Sequence, residues 1–151
     1  MRQSNLLAAK GHQAAKAAFL AGMSEFDIQQ SYLKALAYSE NQSPYGNIVS
    51  LNENAAILHY TALARTKPLD PRSFLIDAGA NFHGYAADIT RTYSFKQDKF
   101  AELIARMDQL MLTAVDGLQP GKSYVDLHLE TYREVGQVLK EFDFIHVDVD
   151  T

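Results

Sequence analysis

Two aspartates, Asp77 and Asp88, sit in the stretch "SFLIDAGANFHGYAADITRTYSF", which otherwise reads as apolar strand. Carboxylates are rarely buried without a partner, so two in one hairpin raise the question of what neutralises them. Asn81 and Gly84 bracket the turn. A turn centred between Phe82 and His83 places Asp77 directly opposite Asp88. Opposed side chains have Cβ atoms about 4.5–5.5 Å apart, and like charges there are destabilising. The same register puts Leu75, Gly79, Ala86, Thr90 and Thr92 on the aspartates' face, and Phe74, Ile76, Ala78, Ala87, Ile89 and Tyr93 on the other. One face is bulky and apolar, suited to helices; the other is small around two carboxylates.

Three readings of the pair stay open on the residues alone. A divalent cation between the carboxylates turns repulsion into ligation, and hard ions such as magnesium or manganese suit oxygen donors. Two ligands make an incomplete site, so more must come from elsewhere. A general acid/base pair is the second reading, although nothing else points to sugar chemistry. In the third, one aspartate is solvated at a sheet edge and the other bonds a turn, or a β-bulge breaks the register.

The elements that must carry the pair follow from pattern. Residues 4–21 read as an Ala-rich helix stopped by Gly22. Ser24 with Asp27 signals the start of a second helix, to about Tyr38. "YGNIVSL" and "AAILHY" flank "NEN" and read as a first hairpin; residues 73–95 form a second. Asp98 and Ser123 cap two more helices, the last ending near Phe142. The order α-α, β-β-β-β, α-α predicts an α+β fold, an antiparallel sheet with helices packed on one face. Met107 and Met111 fall at helical spacing and read as core.

The chain has 151 residues and a net charge of −4, with no cysteine. One domain is the expectation. The absence of a basic stripe argues against nucleic acid. No apolar run reaches the ~20 residues of a membrane span, and no leader pattern is read, so the expectation is a soluble, cytoplasmic chain. His12 and His128 read as surface positions on helices and His83 as a turn tip. His146 with Asp148 and Asp150 lies in an alternating tail, read as a solvated segment.

The long motifs "FLIDAGANFHGYAADITRTYSF" and, upstream, "PYGNIVSLNENAAILHY" resemble the pita-bread metallopeptidases. Within them they resemble the bacterial Xaa-Pro dipeptidase branch that includes organophosphorus acid anhydrolases. The resemblance implies half of a pita-bread fold, with residues 1–151 as the first half of a catalytic domain. It implies two divalent metal ions, manganese first, with Asp77 and Asp88 among their ligands. The matched His and two Glu ligands fall in a second half, so this chain alone is expected to be inactive and to bind metal weakly or not at all. His59 matches a histidine beside the substrate, an Xaa-Pro dipeptide, and Tyr45 matches a tyrosine lining the pocket. Arg91 reads as structural, pairing a buried acid. Because the missing half is a pseudo-twofold copy, a homodimer is expected. A related aminopeptidase or creatinase-like hydrolase, and a non-catalytic peptide-binding module, are the alternatives.

Overall fold

Helix α1, Arg2–Leu20, ends where Gly22 enters the left-handed region at φ 68°. The amides of Gly22 and Met23 then donate to the carbonyls of Phe19 and Ala18 at 2.8 and 3.1 Å, closing the helix end. Ser24 caps α2, Glu25–Leu36: its hydroxyl oxygen accepts from the Asp27 amide at 3.3 Å. The computed structural model describes residues 1–147. The chain divides into two units, Met1–Lys96 and Gln97–Thr151.

In the first unit three antiparallel strands, β1 (Ile48–Leu51), β2 (Ser73–Asp77) and β5 (Thr90–Ser94), lie in the order β1-β2-β5. A short ladder of β3 (Asn81–Phe82) and β4 (Tyr85–Ala86) forms the hairpin tip. Phe74 and Ile76 are fully buried on one face of β2, in one apolar cluster with Phe19 of α1 and Ile28, Tyr32 and Leu33 of α2. The Phe19 and Phe74 rings pack with centroids 5.2 Å apart. Helices on one face of an antiparallel sheet are thus what forms.

Three expectations are corrected. The hairpin register is displaced by two residues: Asp77 pairs with Thr90, not with Asp88. The cause is the turn. His83 and Gly84 both have positive φ, 50° and 83°, which is the two-residue geometry that matches strand twist, so the turn is centred one residue later than expected. A displacement of two leaves every side chain on its face, and Phe74, Ile76, Ala78 and Ala87 are buried as anticipated.

The first hairpin does not exist. After β1 the chain enters a short 3-10 helix, Asn52–Ala56, and then a turn. Asn52 adopts φ 52° and its side chain bonds backbone groups of the segment that leads into β2. Its Oδ1 accepts from the amides of Arg72 and Ser73 at 2.9 and 3.2 Å, and its Nδ2 donates to the Asp70 carbonyl at 3.0 Å. Such side-chain competition with the ladder is what alternation of residue types does not reveal. Arg91 is exposed and donates to the Thr90 carbonyl at 2.7 Å, so it does not pair a buried acid as anticipated.

The second unit is a helix pair. Asp98 caps α3, Lys99–Asp116, accepting from the amides of Phe100 and Ala101, both at 3.1 Å. Ser123 precedes α4, Tyr124–Glu141, but makes no side-chain cap bond. Leu110 and Val138 are buried, and Met107 and Met111 line an apolar groove with Leu110, Leu127 and Val135. His146 lies 3.5 Å from Asp143; Asp148 and Asp150 fall outside the described residues. Among the described residues no helix is long and apolar enough to cross a membrane.

Candidate metal-binding site

Asp77 closes β2, and Asp88 lies just before β5 on the same face. Between them is the Tyr45 hydroxyl, 2.9 Å from Asp77 Oδ1 and 3.0 Å from Asp88 Oδ1. Tyr45 belongs to the loop that leads into β1. That loop is tied to α2 by Asn47, whose Nδ2 donates to Gln29 Oε1 at 3.2 Å. Burial is the main cause that raises the Tyr45 pKa, and hydrogen bonds to Asp77 and Asp88 raise it further. The phenol is therefore a neutral donor at physiological pH, and its single proton can serve one carboxylate at a time.

The segment after Asp77 is held from the helices. His12 Nε2 donates to the Ala78 carbonyl at 3.0 Å, and the Tyr32 hydroxyl to the Gly79 carbonyl at 2.9 Å. Tyr38 bonds Asn81 in the same way. These three side chains bond the backbone beyond the last β1–β2 pair, Ile48 with Asp77. His12 is buried, 5% exposed, which corrects its reading as a surface residue. His83 and His128 are exposed as anticipated.

Burial lowers the His12 pKa from 6.5, against the raising effect of its bond to Ala78. A base whose folded pKa lies below its unfolded value contributes stability that is complete above the unfolded pKa. That contribution is lost as pH falls below about 6.5 toward the folded value. Urea midpoints of this chain are therefore expected to fall between pH 7 and pH 5.5 (roughly this window), with a flatter profile in His12→Gln. Identical slopes for the two chains would contradict this.

Two carboxylates converging on one point fit part of a cation site. Among the described residues no group of three or more His, Cys, Asp or Glu side chains surrounds a metal position. The structure thus joins Asp77, Asp88 and Tyr45. His59 is not part of that hydrogen-bonded group: it lies exposed on the turn after the 3-10 helix, with φ 55°. Glu25 escaped the sequence reading altogether. It is 1% exposed, and its carboxylate accepts four hydrogen bonds. The one sequence signal was its place next to the cap Ser24, which reads as an ordinary first-turn acid.

Known proteins are similar to this chain in sequence and in fold. An Xaa-Pro dipeptidase of Colwellia psychrerythraea (strain 34H) is 68% identical over 151 residues, covering 100% of this chain and 34% of the relative. An Xaa-Pro dipeptidase of Shewanella denitrificans is 57% identical over 143 residues, 95% of this chain and 32% of the relative. The chain thus spans about a third of the length of the curated relatives it matches. Among solved structures, zinc-substituted aminopeptidase P of E. coli in complex with product superposes with a TM-score of 0.83 at 27% identity, over 99% of this chain and 34% of that one. Pseudomonas aeruginosa aminopeptidase PepP gives 0.85 at 26% identity, over 99% and 35%. The helices and antiparallel sheet described above are part of the pita-bread fold of these aminopeptidases. Residues 1–147 match the model of metallopeptidase family M24, and with that match over nearly the whole chain, this protein belongs to family M24.

Proposed function

We propose that the chain is the first half of the catalytic domain of a metal-dependent Xaa-Pro dipeptidase, with Asp77 and Asp88 as metal ligands and His59 as a substrate contact. The observation that carries the reading is the convergence of two same-face carboxylates on a single point beside Tyr45. Two divalent ions, manganese first, would supply the Lewis acidity that activates water and polarises a scissile carbonyl. Asp77 and Asp88 would hold the ions and offset part of their charge, and the fixed loop holds Tyr45 against both carboxylates. Tyr45 therefore orients the ligands, a role closer to the metal than the pocket-lining one the resemblance implies. The dipeptidase reading is preferred to an aminopeptidase one because the 68% and 57% identical relatives are Xaa-Pro dipeptidases, while the aminopeptidase structures stand at 27% and 26%.

Two carboxylates leave an octahedral ion mostly hydrated. Manganese titration followed by electron spin resonance is expected to show weak binding of a hydrated ion that disappears in Asp77→Asn, with no cleavage of alanyl-proline by the chain. Binding that survives Asp77→Asn would remove the basis of the proposal. Self-association as a homodimer belongs to the same proposal. Exposed Leu112, Val115, Tyr124 and Leu129 on α3 and α4 supply apolar surface for it, and light scattering on the same samples reads it.

A further inference from the structure

We infer that Glu25 is the positioning residue for the loop that carries His59. Its carboxylate is fully buried at the first turn of α2, where the helix N-terminus favours a negative charge. Oε1 accepts from the Leu51 amide at 2.8 Å and from Asn54 Nδ2 at 2.9 Å. Oε2 accepts from the Tyr60 hydroxyl and the Ala64 amide, both at 2.7 Å. All four partners are donors. An ionised carboxylate, acceptor-only with about four lone-pair sites, satisfies all of them, and an amide cannot.

Those donors lie on both sides of His59. Leu51 and Asn54 precede it; Tyr60 is its neighbour and Ala64 follows. Between residues 51 and 64 three non-glycine residues hold left-handed φ: Asn52 at 52°, His59 at 55° and Leu63 at 51°. Such backbone persists where the surroundings over-determine it. The tip itself has no core to hold it, since Ile57 and Leu58 are 54% and 85% exposed. The constraint therefore comes from the base of the loop. There the Phe26 amide also donates to the Ala64 carbonyl at 3.1 Å, and the Arg65 guanidinium stacks over the Phe26 ring at 3.8 Å. Glu25 thus sets the backbone from which the His59 side chain projects. Its bearing on substrate rests on the reading of His59 given above.

The test is nitrogen-15 magnetic resonance of the whole chain, comparing it with Glu25→Gln and Tyr60→Phe. In Glu25→Gln a donor replaces an acceptor, and amide exchange at Leu51 and Ala64 is expected to rise about tenfold, the loss of one charge-assisted bond. His59 resonances should shift in both variants while amides of α1 and β2 stay in place, a pattern that general loss of stability would not give. Should Glu25→Gln fail to fold, Tyr60→Phe, which removes one of the four donors and keeps the ring, decides alone. His59 resonances unchanged in the folded variants would overturn the inference. Titration of the unaltered chain with alanyl-proline separates the two ideas. A loop loosened by Glu25→Gln supports the clamp whatever His59 does in that titration, and His59 resonances that move with the dipeptide support its substrate role.

Discussion

Gly79→Ala is expected to cost the first unit about 3 kcal/mol or more, the upper range of core overpacking. A Cβ at this position would lie 2.0 Å from the Ala87 carbonyl oxygen, 2.8 Å from the Tyr45 ring and 3.0 Å from Pro44 Cγ. The first of these is backbone of the segment between β4 and β5. It cannot move without parting the bonds that flank it, Ala78 N–H to the Ile89 carbonyl at 3.1 Å and Ala87 N–H to the Ala80 carbonyl at 2.8 Å. Gly79 is thus needed for space. Gly84 has open space but φ 83°, and Gly84→Ala should cost only about 1 kcal/mol. For a domain of this size a loss of 3 kcal/mol lowers the melting temperature by more than about 10 °C. Thermal unfolding followed by circular dichroism separates the two variants. A Gly79→Ala midpoint within a degree or two of the parent would show that the strands part easily, and the account of the site as a tight packing of Tyr45 on the sheet would fail.

The fold was legible wherever burial follows period. Phe74 and Ile76 declared the helix-facing side of β2, and the capping residues Ser24 and Asp98 declared helix starts. The faces survived an error of register because the error was an even number of residues. What stayed hidden was set by side chains acting on backbone. Asn52 and Glu25 fold "NENAAILHY", an apparent turn and strand, into a 3-10 helix and a turn, and no periodicity encodes the burial of an acid beside a cap. His12 was hidden for a related reason. A lone histidine on an Ala-rich helix reads as surface until the carbonyl it meets, Ala78, is placed by the tertiary fold. The aspartate pair was visible as a pair. The hydroxyl that joins them was not, because Tyr45 lies in a loop 32 residues from Asp77.

Tyr45→Phe is expected to weaken manganese binding about tenfold, the lower end of what loss of a partner to a ligating carboxylate produces. Phenylalanine keeps the ring that packs against Gly79 and Pro44, so the change isolates the hydroxyl. That hydroxyl is a donor held within bonding distance of both Asp77 and Asp88, and burial with two adjacent carboxylates keeps it protonated. Removing it takes from the two carboxylates the one proton they share, while leaving two like charges on one small face. A cation must then order both side chains as it binds. The metal-free chain should also lose about 1 kcal/mol of stability, less than a fully buried charged hydrogen bond is worth, because Asp88 is exposed. Electron spin resonance titration measures the first effect and urea unfolding the second. Tighter manganese binding in Tyr45→Phe would carry the opposite meaning. The hydroxyl would then compete with the cation for the same carboxylate oxygens, and the orienting role assigned to Tyr45 would be lost.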